Sequence, residues 1–346
     1  MKKLTLFILF CLYGASLYGK DLIGELILVG FNGTDSKEIL NKIKSEKIGG
    51  VVLFERNIES TKSLMELTQS LKASSKKPIL IAIDQEGGLV ARLNKRNGFV
   101  EFPSANEVAS LMNLEETKEL YAKMAKYLKE FGINYNLAPV VDLKTKNPIG
   151  LKNRAYSSSP SLVSLYAGAF VDGFDSEGVL TSLKHFPGLG NAKVDTHDGK
   201  SDGSSTWQYE ELQPFFDLIK SKKARSIMVS HLYVDKFDKK YPASLSKKII
   251  TSLLKEELKY DGLVISDDLL MSGISNEFSL KDRVILALNA GVDILLFSQN
   301  RVNNEDLVEK VHEIVNEALK DGSIKKEQLE SANRKVKAFK RGINGD

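Results

Sequence analysis

The chain has 346 residues, 42% hydrophobic and 27% charged, enough apolar material for a full core, which excludes a disordered tail or a small disulfide-stapled module. Its 49 Lys and Arg against 45 Asp and Glu leave a formal charge of +4 spread along the chain, so there is no electrostatic footprint for nucleic acid and the expected ligand is small or neutral. Length alone allows one large domain or two ordinary ones.

Residues 1–19 read as a secretory signal. Lys2 and Lys3 form a positive n-region, Leu4 to Leu12 is an apolar stretch interrupted only by Thr5, and Gly14-Ala15-Ser16 through Gly19 supplies small residues for cleavage. A buried core helix would carry a polar face, and an uncleaved membrane anchor is the other reading of the same stretch. The only cysteine, Cys11, lies inside this segment behind Phe10, a residue unsuited to lipoprotein processing. The mature product, residues 20–346, is then an exported, periplasmic or extracellular protein without cysteine. It has no thiol catalysis, no thiolate metal site and no stable membrane insertion once the signal is removed.

Short β-branched runs then alternate with helix-period segments. The runs are Glu25 to Gly30, Gly50 to Phe54, Pro78 to Asp84, Ile133 to Leu137, Val179 to Lys184, Ser226 to Ser230, Gly262 to Ser266 and Val292 to Phe297. Crossover helices are expected between them, as at Ser60 to Ser74, Leu114 to Phe131 and Leu280 to Ala290. Eight such units predict a (β/α)8 barrel of the TIM type; an open doubly wound sheet would more often stop at five or six strands and show a glycine-rich first turn. Two amphipathic helical stretches follow, Glu305 to Lys320 and Lys325 to Arg341, so one barrel domain with C-terminal helices is expected over residues 20–346.

Barrel enzymes place their chemistry on the loops leaving the strands. Here those positions carry Asp84-Gln-Glu-Gly-Gly88 with Arg92, Lys184-His185, His231 and Asp267-Asp268, while His312 falls on a late helix face. Any one of these has a bland reading, since strand ends carry polar residues to satisfy backbone groups. Asp267 and Asp268 follow the apolar run Leu263 to Ile265; one aspartate can cap the next helix while the other faces a cavity, where a carboxylate beneath a bound sugar would attack or stabilise an oxocarbenium-like centre. Asp195-Thr196-His197 lies in a glycine-rich polar stretch from Gly188 to Ser205 with the composition of a surface loop. A carboxylate two residues from an imidazole can fix its tautomer and let it trade a proton. A metal held by His185, His197 and Asp195 is the competing reading, but no tight ligand spacing supports it, and neither metal nor cofactor is expected. Trp207 and the stretch from Tyr209 to Phe216 read as core packing before they read as a subsite wall.

The segment Lys184-His185-Phe-Pro-Gly-Leu-Gly-Asn-Ala-Lys-Val-Asp-Thr-His197 resembles the signature of the single-domain β-N-acetylhexosaminidases of glycoside hydrolase family 3. The likeness extends, in the family's order, through Ile83 to Gly88 with Arg92, Asn134 to Asp142, Asn153-Arg154, and Gly262 to Asp268. It implies a retaining exo-β-N-acetylglucosaminidase with Asp267 as nucleophile, His197 as acid/base and Asp195 as its partner. Asp84, Arg92, Arg154, Lys184 and His185 match positions that hold the terminal N-acetylglucosamine. The implied partner is an N-acetylglucosamine-containing saccharide or muropeptide derived from peptidoglycan. The sequence departs from the family at Leu189, where a second histidine is usual, and at Asn191-Ala192 in place of Asp-Thr, so the loop's hydrogen bonding must differ. The alternative reading is an exported, non-catalytic sugar-binding or wall-fragment-binding protein on the same barrel.

Overall fold

The structure, a computed structural model, describes residues 22–33, 37–145, 153–189, 192, 199–303 and 305–343. The expected signal, residues 1–19, lies outside them. Short parallel strands alternate with helices in an α/β architecture, and every principal strand is buried along its whole length. That double-sided burial is why the strand runs are continuously apolar and not alternating.

Six strands pair in parallel in the order Leu295–Phe297, Ile27–Val29, Gly50–Leu53, Leu80–Ile83, Tyr135–Asn136, Leu180–Thr181. Three more pair in parallel in the order Leu263–Ser266, Ser226–Val229, Leu183–Phe186. Two junctions connect these sheets. Leu180–Thr181 and Leu183–Phe186 are separated only by Ser182, so the single run read from Val179 to Lys184 is two short strands, and an isolated parallel bridge joins Ile265 to Ile294. Two small antiparallel hairpins, Gln85–Gly87 with Val90–Ala91 and Arg301–Val302 with Glu305–Asp306, complete the pairings.

The helices start and stop where side chains satisfy their free backbone groups. Asn113 accepts from the backbone N–H of Glu115 and Glu116 to open Leu114–Glu130, Ser60 accepts from Ser63 to open Thr61–Ala73, and Ser279 accepts from Asp282 to open Leu280–Ala290. Gly291 ends the last of these with φ +106°. Helices Leu114–Glu130 and Pro160–Ser176 pack so closely that a Cβ on Gly173 would lie 2.6 Å from the Lys118 carbonyl oxygen. The C-terminal helices Leu307–Asp321 and Lys326–Arg341 bury Val311, Ile314, Val315, Leu329 and Val336 against the rest of the core. His312 is buried on the first of them, its Nε2 donating to the Lys47 carbonyl at 2.9 Å, a structural use of the histidine.

Candidate active site

Because the strands are parallel, the residues that follow them emerge on one side. Strand Leu80–Ile83 runs directly into Asp84 and the hairpin that carries Arg92. The hairpin is fixed by Gln85, whose side chain both donates to the Leu93 carbonyl and accepts from the Leu93 N–H, and by Asn136, which exchanges two hydrogen bonds with the Gln85 backbone. Its turn needs glycine: Gly87 has φ +95°, and a Cβ there would lie 2.2 Å from the Pro103 oxygen.

Five charged side chains meet beyond these strand ends. Lys184 bridges two carboxylates, at 2.8 Å to Asp84 Oδ1 and 2.7 Å to Glu86 Oε1. Arg92 reaches the other Asp84 oxygen at 3.1 Å, and Arg154 takes Glu86 in a two-point grip, with Nε and Nη2 each at 2.8 Å. Burial alone would raise both carboxyl pKa values. The attraction of Lys184 and Arg92 outweighs it at Asp84 and holds that carboxyl well below the usual range; Arg154 and Lys184 do the same for Glu86, to about 2. Burial likewise works against the charge of Lys184, yet Asp84 and Glu86 raise its pKa overall. The network is therefore fully ionised across the physiological range, three cations against two anions, preassembled before any ligand arrives.

His185 sits beside this network, after a cis peptide bond from Lys184. Asp142, completely buried, accepts from the backbone N–H of His185 and of Leu189, at 3.2 and 2.8 Å, and from His185 Nδ1 at 2.7 Å. A carboxylate can only accept here, so Nδ1 carries a proton. The same carboxylate thus sets the path of the chain from His185 to Leu189 and the tautomer of the ring.

The two adjacent aspartates divide their tasks. Asp268 Oδ1 accepts from the N–H groups of Leu270 and Ser298, tying strand Leu263–Ser266 to the end of strand Leu295–Phe297. Burial raises the pKa of its carboxyl. Asp267 is half-buried, accepts only from the Asp268 N–H among the described residues, and keeps Oδ2 uncommitted there. Beneath them lies His231, fully buried, with Nε2 donating to the Asp268 carbonyl at 2.8 Å and Nδ1 accepting from Ser244 at 2.7 Å. Burial lowers its pKa, so it acts as a neutral strut for the Asp268 backbone.

Asp84, Arg92, Arg154 and Lys184, singled out in the sequence, thus join in one ion network, with His185 following Lys184 in the chain. Asp195 and His197 lie outside the described residues, as do Asn191 and the chain from 193 to 198. Glu86 and Asp142 had been quoted within matching segments without a role; they prove to be the anchors of Arg154 and His185. Only their place next to strand ends signalled them. Trp207 is core, 1% exposed and bonded through Nε1 to the Pro187 carbonyl, whereas Tyr209 beside it is 63% exposed. Among the described residues no cluster of three or more His, Cys, Asp or Glu side chains is arranged to hold a metal.

Comparison with known proteins shows the family of the chain. Residues 20–339 match the glycosyl hydrolase family 3 N-terminal domain. The chain is 32% identical over 331 residues to beta-hexosaminidase A of Pseudoalteromonas piscicida, covering 88% of this chain and 55% of that protein, and 32% identical over 283 residues to the beta-hexosaminidase of Idiomarina loihiensis, covering 80% and 84%. Among solved structures, a glycoside hydrolase family 3 β-N-acetylglucosaminidase from Paenibacillus sp. str. FPU-7 superposes with a TM-score of 0.87 at 29% identity, over 94% of this chain and 62% of that one. The chain thus spans little more than half of some relatives and most of others. It belongs to glycosyl hydrolase family 3, as a glycoside hydrolase built on that family's N-terminal domain.

Proposed function

We propose that the protein is a retaining exo-β-N-acetylhexosaminidase that removes terminal N-acetylglucosamine from peptidoglycan-derived saccharides or muropeptides. The observation that carries this reading is the network of Asp84, Glu86, Arg92, Arg154 and Lys184, with Asp84, like Asp267, directly following the last residue of a buried parallel strand. Such a cluster offers acceptors and donors at fixed positions to the hydroxyl and N-acetyl groups of one sugar residue. The names of the relatives, beta-hexosaminidase and β-N-acetylglucosaminidase, point to the same sugar.

In the proposed reaction the Asp267 carboxylate attacks the anomeric carbon as the glycosidic C–O bond breaks, and His197, assisted by Asp195, gives its proton to the leaving oxygen. Water then loses a proton to His197 and displaces Asp267 from the anomeric carbon, restoring both groups with net retention. Retaining pairs act across about 5 Å. Asp267 suits the nucleophile's part because Asp268 takes the structural bonds and leaves it one uncommitted oxygen. We further infer that the two parallel sheets close as a (β/α)8 barrel, a reading supported by the Ile265 to Ile294 bridge and the single-residue break at Ser182. Residues 1–19 are proposed to export a single domain formed by residues 20–346.

The test is chromophore release from a β-N-acetylglucosaminide by the wild-type protein, Asp267→Asn and His197→Ala, each with and without chelator. Turnover that falls about a thousandfold in Asp267→Asn, roughly a hundredfold or more in His197→Ala, and is indifferent to chelator is expected. No wild-type turnover despite measurable sugar binding overturns the hydrolase assignment in favour of a binding protein.

A further inference from the structure

At the opposite end of the strands lies a feature the hydrolase reading does not use. The turns leading into Leu180–Thr181, Ser226–Val229 and Leu263–Ser266, with one face of helix Lys326–Arg341, enclose a cleft of ≈ 890 Å³. It touches the entering ends of these strands, whereas Asp84 and Asp267 directly follow the last residues of theirs. Its walls carry six cations, Lys220, Lys222, Arg225, Lys259, Lys335 and Arg341, against two acidic residues, Asp175 and Asp261. Arg225 is paired with Asp175 at 3.0 Å, and Lys335 donates to the Gly262 carbonyl at 3.0 Å and stands 3.8 Å from Asp293. Lys220, Lys222, Lys259 and Arg341 make no ion pair among the described residues. Tyr260 and Phe339 add ring surface to the lining.

The backbone beneath two of these cations is unusual. Lys222 and Lys259 have φ of +59° and +58°, the left-handed region that side chains disfavour. Equivalent turns into the strands at Tyr135, Leu180 and Leu295 place Gly132, Gly178 and Gly291 in that region, while the turn into the strand at Gly50 places Glu46 there. The attraction of helix C-termini for positive charge accounts for Lys220 and Arg341, each in its helix's last turn. It does not account for lysine where the turn favours glycine, at two neighbouring turns that open on one cleft. Strain retained at such positions is a mark of use.

We propose that this cleft binds more than one phosphate group at once. Four cations without an ion pair among the described residues line a space of ligand size that holds only two acidic residues, and phosphate presents the several oxygens and the charge density that lysine and arginine together match. The same chemistry is offered by a soluble oligophosphate and by anionic lipid headgroups, and the two are separable. Tripolyphosphate is titrated calorimetrically into the full chain at low salt, and sedimentation is followed with phosphatidylglycerol and phosphatidylcholine vesicles. Both are repeated with the double variant Lys222→Gly/Lys259→Gly, whose glycines suit the left-handed backbone, so that its thermal transition stays at or above that of the wild type.

Binding to tripolyphosphate assigns a soluble ligand, and binding to phosphatidylglycerol but not phosphatidylcholine vesicles assigns a headgroup. Either one should weaken at least tenfold in the double variant and with added salt, while chromogenic glycoside turnover is unchanged. Failure to bind in both arms, or undiminished binding by the folded double variant, overturns the proposal.

Discussion

Replacing Glu86 with glutamine is the sharpest probe of the ion network. The carboxylate is 5% exposed, takes two bonds from Arg154 and one from Lys184, and its loss leaves three cations facing Asp84 alone. Its pKa of about 2 against an ordinary value of 4.5 corresponds to roughly 3 kcal/mol of folding stability, in line with the about 3–5 kcal/mol typical of breaking a buried pair on one side. The depressed pKa gives the pH dependence its sign. The contribution is complete above the ordinary carboxylate pKa and is lost as pH falls toward 2, where the wild-type group is itself neutralised. Urea denaturation of wild type and Glu86→Gln should therefore differ by about 3 kcal/mol at pH 7, and the gap should narrow steadily below pH 4.5. A difference under about 1 kcal/mol at pH 7, or one of equal size at pH 7 and pH 3, would refute the account of Glu86 as an ionised anchor.

Asp142→Asn tests the control of His185. An amide has one acceptor oxygen and one donor face where the carboxylate had two acceptors, so either the backbone N–H groups or the ring N–H meets a donor; a KM for the N-acetylglucosaminide at least about tenfold higher is expected in steady-state assays, and an unchanged KM and pH profile would count against the fixed tautomer. Gly173→Ala sets two effects against each other. Helix propensity favours alanine by about 1 kcal/mol, but the new methyl would lie 2.6 Å from the Lys118 oxygen and 2.7 Å from the Ala122 nitrogen, both backbone atoms that cannot swing aside, so net destabilisation of about 1–3 kcal/mol is expected by thermal denaturation; a rise in Tm would show that the two helices slide apart freely.

The strand runs were legible because parallel strands buried on both faces are continuously apolar: Gly50–Leu53, Ser226–Val229 and Leu263–Ser266 fall within one residue of the runs that predict them, and Leu280–Ala290 coincides with its helix. The break at Ser182 was not legible, since nothing in Val179-Leu-Thr-Ser-Leu-Lys184 departs from strand composition and the break comes from where the neighbouring strands pair. The two hairpins were invisible because Gln85-Glu-Gly and Arg301-Val carry turn-like or charged residues and no alternating apolar face. In the site, residue types at strand ends could be read, but partnership could not. Asp84 and Lys184 are 100 positions apart, and only the pairing of Leu80–Ile83 and Leu180–Thr181 on either side of Tyr135–Asn136 brings the residues that follow them within a hydrogen bond. The division of labour between Asp267 and Asp268 likewise depends on where the Ser298 N–H lies, which no local pattern around the pair encodes.

Lys184, held by two carboxylates at once, has a consequence for how such a protein changes over time. Neutralising either carboxylate leaves three cations against one anion, and neutralising Lys184 leaves each carboxylate with one arginine, so single steps in this network are strongly epistatic and many are closed to selection. Change must then accumulate at solvent-facing positions around the network, where one substitution at a time is tolerated, while the buried charges themselves drift only through coordinated pairs.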